Sequence, residues 1–503
     1  MLDLYSRNGQ KPQDLKNYPY VKNLAYISLV CLSIAINGCT GTPGNVDQSA
    51  NKEEFPVEKI ALREKVHAYV VKTFGIYPDP GLNTYIAGVG ARMSSNLPYR
   101  FNFYILDTSR VQAWAVPGGN IYITRGLLTA IRTEDELAAI IGHELAHIMF
   151  NHSDRFRDAA KSTYELGRAI HSHTSYQHVK QLAAEFSLAV NQGYSREQEY
   201  EADRMGLRYM KSAGYNAAAA HGLLKLLLAR ERQDHIDTDA LGLKQSNHFE
   251  LYSSHPATSK RLEAVTRLLG NRIVSRKSHD ASHQRYLSKI DGIVYGDAAP
   301  FVKIERRRLL FKKPSIKLNI DTSWVALHED RKLVLLRPDK KWVQLILNDE
   351  IKPGRTPRET FTKNLFHVSK NRGRTLHIAG INAYTADVTR SQGDRKVHAR
   401  ITLLYRGADA VVMVGTTLDR KLPLDLDREL RRIASSAQPL KHPDHVDFES
   451  MRIRVVRARA GDTYASLAHK MPVYYHAEAQ LRLLNNAGPG DRLQPGQLVK
   501  LIQ

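Results

Sequence analysis

Two histidines four residues apart, His143 and His147, sit in an apolar stretch with helical spacing, and this pair constrains the fold more than anything else in the chain. On a helix that spacing turns about 40° and rises about 6 Å, so both imidazoles leave one face. Leu137, Ile140, Ile141 and Ile148 give the helix an apolar back, and small Gly142 and Ala146 leave room for a close neighbour. A second helical segment, from Ser195 to Asp203, places Glu199 and Asp203 four apart, again on one face.

Together with Glu144, the pair makes the pattern His-Glu-x-x-His. Two imidazoles so placed can meet one Zn²⁺ at about 2.0–2.1 Å, and Glu144 can take a proton from an attacking water. A catalytic zinc needs a third protein ligand. His152 lies five residues past His147, about 140° round a continuous helix, and is expected as a surface or capping histidine. The spacing also lacks the glycine turn and six-residue step of the metzincin pattern. Glu199 is the better third ligand, with Asp203 accepting a hydrogen bond from a ligand histidine. Glu197 and Glu201 are rivals by type on other faces, where a solvated acidic helix accounts for them equally well.

At 503 residues the chain is too long for one compact core. Helical spacing dominates from about 57 to 271, with helices expected over 133–152, 159–189, 196–213 and 217–232, and strands over 101–106 and 121–124. After about 300 the pattern changes: 316–320 and 343–345 alternate, 332–336, 399–405 and 410–414 are rich in β-forming residues, and helices are expected near 357–369 and 424–435. The fold class expected is multidomain: a mainly α zincin-type domain with a small sheet over 56–299, an α+β domain with an antiparallel sheet over 300–440, and a small βααβ module over 451–503.

Both cysteines fall in the first 39 residues. Lys16 and Lys22, the apolar run 24–36 and Asn37-Gly38-Cys39 read as a secretory signal over 1–38, with Ile36-Asn37-Gly38-Cys39 resembling a lipobox. Cys39 would then carry lipid, 39–55 would be a polar tether, and the protein would sit on the periplasmic face of a bacterial outer membrane. An uncleaved signal anchor is the alternative. The excess of 73 basic over 51 acidic residues, formally +22, suits anionic surfaces. With no nucleic-acid-binding module in the sequence, nucleic acid is not expected as a partner.

His-Glu-Leu-Ala-His at 143–147, Ser-Arg-Glu-Gln-Glu-Tyr-Glu-Ala-Asp at 195–203 and the upstream run from Trp114 to Tyr122 together resemble the HtpX and CAAX-prenyl-protease family of gluzincin metallopeptidases, most closely its periplasmic branch. The resemblance covers roughly 57–269. It implies one zinc per chain held by His143, His147 and Glu199, Glu144 as catalytic base, and Asp203 in support. A fourth match, His255-Pro256 with Arg261, implies a histidine able to approach the zinc and an arginine facing the site. His255 could cap the open position or donate to a developing oxyanion; a helix-start turn with an exposed histidine fits equally, and His248 is not favoured. Pro117, Gly118, Gly119 and Asn120 form a turn before a strand whose edge could pair with an extended peptide.

Residues 453–456, Gly461-Asp462-Thr463, Leu484-Asn485-Asn486 and Gln494-Pro495-Gly496 resemble a LysM module, which implies peptidoglycan binding. The function expected is a lipid-anchored zinc metalloendopeptidase acting on misfolded or misassembled envelope proteins. A latent-protease chaperone, a peptidoglycan-binding scaffold and a peptidoglycan hydrolase are the alternatives.

Overall fold

A computed structural model describes residues 52–152, 194–240, 255, 259–270, 276–296 and, with short gaps, 301–503. The expected leader, Cys39, the helix expected over 159–189, His248 and Pro256 lie outside these residues. Residues 52–55, assigned to the tether by composition, are docked. Lys52 Nζ donates to the carbonyls of Ser94, Ser95 and Leu97, and Phe55 stacks on Tyr99 at 4.2 Å.

The first part of the chain runs α1 (Val57–Phe74), α2 (Pro80–Met93), β1 (Asn102–Leu106), β2 (Ala113–Val116), β3 (Asn120–Thr124), α3 (Arg125–Ala130) and α4 (Glu134–Met149). It continues with α5 (Arg196–Ser212), α6 (Ala218–Ala240), α7 (Ser259–Leu269) and α8 (Arg276–Ile290). The small sheet has the order β1-β3-β2, with β1 parallel and β2 antiparallel to β3. Helix α4 is buried along nearly its whole length and packs against α2, α5, α6 and β2.

Local chemistry explains where α4 begins and how it sits. Thr133 caps it by accepting from the Glu136 amide, and Glu134, Asp135 and Glu136 place negative charge at the positive end of the helix dipole. Gly142 and Gly206 meet where α4 crosses α5; a Cβ on Gly206 would stand 3.1 Å from the His143 backbone nitrogen. The absence of side chains there lets the two helices approach until their polar faces share one space.

A second body begins with β4 (Val302–Glu305), β5 (Arg308–Phe311), β6 (Ile316–Asn319), β7 (Val325–Glu329), β8 (Lys332–Arg337) and β9 (Trp342–Glu350). After α9 (Pro357–Asn364) come β10 (Gly373–Ile378), β11 (Ile381–Gln392), β12 (Arg395–Arg406), β13 (Asp409–Thr417), α10 (Leu424–Ser435) and β14 (Gln438–Pro439). Seven strands form an antiparallel sheet in the order β10-β11-β12-β13-β9-β8-β7; the other four form a sheet in the order β14-β6-β5-β4. Alternation along β13 sends Val411 and Met413 to a core shared with Leu426 and Leu430 of α10, and Ala410 and Val412 to one shared with Phe361 of α9.

The chain closes with β15 (Ile453–Arg457), α11 (Tyr464–Ala468), α12 (Ala477–Leu484) and β16 (Leu498–Ile502), β15 and β16 pairing antiparallel. This βααβ unit does not keep a core of its own. Ile453, Leu467, Leu481, Val499 and Ile502 belong to the same buried cluster as Leu137, Ile141 and Leu287. Lys500 is fully buried, and its Nζ donates to the carbonyls of Thr129, Ala130 and Ile131 at the end of α3.

Candidate metal centre

The face of α4 carrying His143 and His147 meets the face of α5 carrying Glu199 and Asp203. Ser195 starts α5 with a reciprocal cap, accepting from the Gln198 amide while the Gln198 side chain takes the Ser195 amide. That cap sets Glu199 one turn inside the helix and aimed at α4. The Nε2 atoms of His143 and His147 lie 3.0 Å apart, and the two rings meet edge to face. Glu199 Oε2 stands 3.5 Å from His143 Nε2, and Glu199 Oε1 stands 3.5 Å from His147 Nε2. His255 joins them, with Nδ1 at 2.9 Å from Glu199 Oε1 and 3.2 Å from His143 Nε2. One ligand atom from each of these four residues falls within 4.8 Å of the others.

A metal ion fits this arrangement. The donors are two neutral-capable imidazoles and a carboxylate, the set suited to a divalent transition metal. Glu144 is 2% exposed, and its Oε2 is buried with no hydrogen-bond partner among the described residues, which marks room for a polar group that protein atoms do not supply. Behind the donors, His143 Nδ1 lies 3.1 Å from Asp203 Oδ1. Arg261 clamps both carboxylates of α5, with Nε and Nη2 donating to Asp203 and Nη1 at 2.6 Å from Glu199 Oε2.

The electrostatics follow from this crowding. Burial works against a charged imidazole at His143, but the Glu199 charge and the hydrogen bonds to Asp203 and Glu199 outweigh it and push its pKa up to about 9. At His147 burial and the neighbouring histidines act together and hold the pKa well below the usual range, so this ring is ready to act as a neutral donor. Glu199 and Asp203 would be raised by burial, yet His255 and Arg261 for the first, and Arg261 for the second, lower both. Both are carboxylates at neutral pH.

Cys39 apart, the site residues anticipated from the sequence each have a definite place. His143, Glu144, His147, Glu199, Asp203, His255 and Arg261 converge. Arg261 spends its guanidinium on Glu199, Asp203 and the His255 carbonyl. His255 is 4% exposed, unlike the exposed turn histidine held open as an alternative. Pro117, Gly118, Gly119 and Asn120 are not among the residues lining the cavity at the donors. Gly118 and Gly119 take φ of 94° and 96°, and a Cβ on Gly118 would meet the Lys59 carbonyl of α1 at 2.5 Å. Asn120 hydrogen-bonds Asn102 and Tyr122, so the turn is held by its own surroundings.

His152 requires a correction. On an α4 that runs on to residue 152 it is expected as a surface or capping histidine. In fact α4 ends at Met149, Asn151 turns the chain with φ of 51°, and His152 folds back to 2% exposure. Its Nδ1 lies 2.9 Å from His147 Nδ1. Tyr194, which no sequence motif singled out, stacks on His147 with ring centroids 3.7 Å apart. The one local hint was its place beside the Ser195 cap.

Beside the donors is a cavity lined largely by apolar side chains, among them Ile140, Leu207, Leu223, Leu227 and Val265. Glu144 is part of its lining.

Residues 81–269 match the family described as Peptidase family M48. The mitochondrial metalloendopeptidase OMA1 of Schizosaccharomyces pombe is 26% identical over 190 residues, 37% of this chain and 52% of that protein. The beta-barrel assembly-enhancing protease of Escherichia coli K12 is 26% identical over 196 residues, 37% of this chain and 38% of its own. A Protease HtpX homolog of Fusobacterium nucleatum is 22% identical over 250 residues, covering 45% and 72%. The chain thus spans about half or less of the OMA1 and assembly-enhancing relatives it matches. The matched segment holds all four clustered residues and the two helices that present His143, His147 and Glu199. Residues 81–269 of this chain therefore form a peptidase family M48 domain.

Proposed function

We propose that this protein is a zinc-dependent metalloendopeptidase. The observation that carries the reading is the meeting of His143, His147 and Glu199 beside a buried Glu144 oxygen that has no hydrogen-bond partner among the described residues. Zinc, when bound, supplies Lewis-acid polarisation of the scissile carbonyl and acidifies the attacking water. Glu144 accepts the water's proton and returns it to the leaving amine. Arg261 holds Glu199 and Asp203 as carboxylates, and Asp203 keeps His143 in the tautomer that presents Nε2. The strand that follows the 117–120 turn, β3, is paired by β1 on one side and β2 on the other and has no free edge for a peptide, so the strand left to pair with an extended, unfolded substrate is β2, at the edge of the sheet and packed on α4.

The setting proposed is the periplasmic face of a bacterial outer membrane, with Cys39 lipidated and misfolded or misassembled envelope proteins as substrates. The name of the Escherichia coli relative supports that substrate class. The βααβ end of the chain supports a LysM-like reading, and its Gly461 and Pro495-Gly496 loops are solvent-exposed, as peptidoglycan binding needs. No helix among the described residues is long and apolar enough to cross a membrane.

A second reading, a latent form, rests on His255. With its Nδ1 among the donor atoms, this side chain can occupy the place that water must take. His255→Ala would then raise the rate of cleavage.

Glu144→Gln tests the main reading. Cleavage of an unfolded reporter protein should fall by about 10²–10⁴-fold while the chain still takes up one zinc ion. Cleavage at the wild-type rate would overturn it.

A further inference from the structure

We infer that His152 and Glu201 form a positioning relay for His147, the counterpart on one ligand of what Asp203 does for the other. The inference rests on the metal-site reading above and adds two residues to it.

The geometry begins with the end of α4. Because Asn151 adopts a left-handed conformation, the His152 amide donates to the His147 carbonyl at 3.0 Å, and the two rings meet edge to face at 4.9 Å. Gln198 of α5 donates from Nε2 to the His152 carbonyl at 3.2 Å and so holds the returning backbone. The side chain then spans two neighbours, with Nδ1 at 2.9 Å from His147 Nδ1 and Nε2 at 3.3 Å from Glu201 Oε2.

Proton counting fixes the roles. Two nitrogens 2.9 Å apart share one proton. When His147 gives the lone pair of Nε2 to a metal, its proton sits on Nδ1, so His147 donates and His152 Nδ1 accepts. His152 therefore carries its own proton on Nε2, which faces the Glu201 carboxylate. The order is Glu201, His152, His147: a carboxylate acting on a ligand histidine through a second imidazole. Such support orients the ligand ring and makes it a better electron donor. One helix thus serves the whole site, with Glu199 as a donor, Asp203 behind His143, and Glu201 behind His147 through His152. Glu201 differs from the other two in being about a third exposed, with Arg204 at 3.4 Å.

Zn²⁺ affinity, measured on the full chain by competition with a chromophoric chelator, tests the relay, with the absorption spectrum of the Co²⁺-loaded protein as a second readout. His152→Leu should weaken Zn²⁺ binding by about 10–100-fold and shift the Co²⁺ bands, without lowering the melting temperature of the metal-free protein. His152→Asn, whose Oδ1 can accept from His147 Nδ1, should recover most of that loss. Glu201→Leu should weaken binding a few-fold, and should add nothing in the His152→Leu background. Wild-type affinity in His152→Leu, an Asn variant no better than Leu, or a Glu201→Leu effect that persists undiminished beside His152→Leu would each overturn the relay. If His152→Leu does not fold, Glu201→Leu against Glu201→Gln decides: a loss that Gln restores supports the relay, and no loss overturns it. Wild-type protein that takes up no Zn²⁺ would overturn the metal-site reading along with the relay, whereas the other failures strike the relay alone.

Discussion

Two bodies follow the M48 domain in the chain, and they relate to it in opposite ways. Residues 301–440 group their buried side chains into clusters of their own, on the two faces of the seven-stranded sheet. Residues 451–503 instead share the cluster that covers the back of α4. The Ile453 amide donates to the Ile293 carbonyl, and the Tyr295 amide to the Met451 carbonyl. Arg125 donates to the Val294 carbonyl from a fully buried position, binding this junction to the start of α3. Size explains the difference: a unit of about 50 residues buries too little surface to stand alone, while one of about 140 can. In space, then, the peptidase part is discontinuous, made from both ends of the described chain with the sheet body inserted between.

Removing 451–503 is the harshest test of that contrast. It removes Ile453, Leu467, Leu481, Val499 and Ile502 from the buried cluster that also holds Leu137, Ile141 and Leu287, and the peptidase part should lose its cooperative melting transition, as followed by circular dichroism. A truncated chain that melts like the full one would break the comparison. Next in size is Lys500→Ala, which takes away the donor serving three buried carbonyls of α3 and should cost about 2–4 kcal/mol in chemical denaturation. A change below about 0.5 kcal/mol would show that the αβ junction is held by apolar burial alone. The smallest effect is expected from replacing 297–450 with a short flexible linker. Tyr295 and Met451 are already hydrogen-bonded at 2.6 Å, so the cut ends are adjacent. Stability should move by less than about 1 kcal/mol, and zinc uptake not at all. Loss of the metal would mean that the sheet body supports the site after all.

Much of the site could be read from local pattern. The four-residue spacings of His143 with His147 and of Glu199 with Asp203 need only a helix to put each pair on one face. The Ser195 cap and the acidic turn before Leu137 mark where those helices begin. In the sheet body, β6 and the start of β9 are legible from alternation and β8, β12 and β13 from their β-rich composition, while the short β4, β5 and β7 and the polar-interrupted β10 and β11 are not. His152 was misplaced because the reading extended a helix that a single left-handed residue ends. The C-terminal unit was read as separate because sequence order shows neighbours along the chain only.

The amino-acid sequence by itself determined the donor types, their pairing on two helices and the Glu144 carboxylate beside them, because helix period and capping are set by residues within a turn or two of one another. Tertiary packing alone decided that Gly142 would meet Gly206, that His255 and Arg261 would close over the carboxylates of α5, that His152 would turn back onto His147, and that Lys500 would end beneath α3. Those contacts join residues from five to several hundred positions apart, and they form because buried polar groups find one another as the apolar faces close.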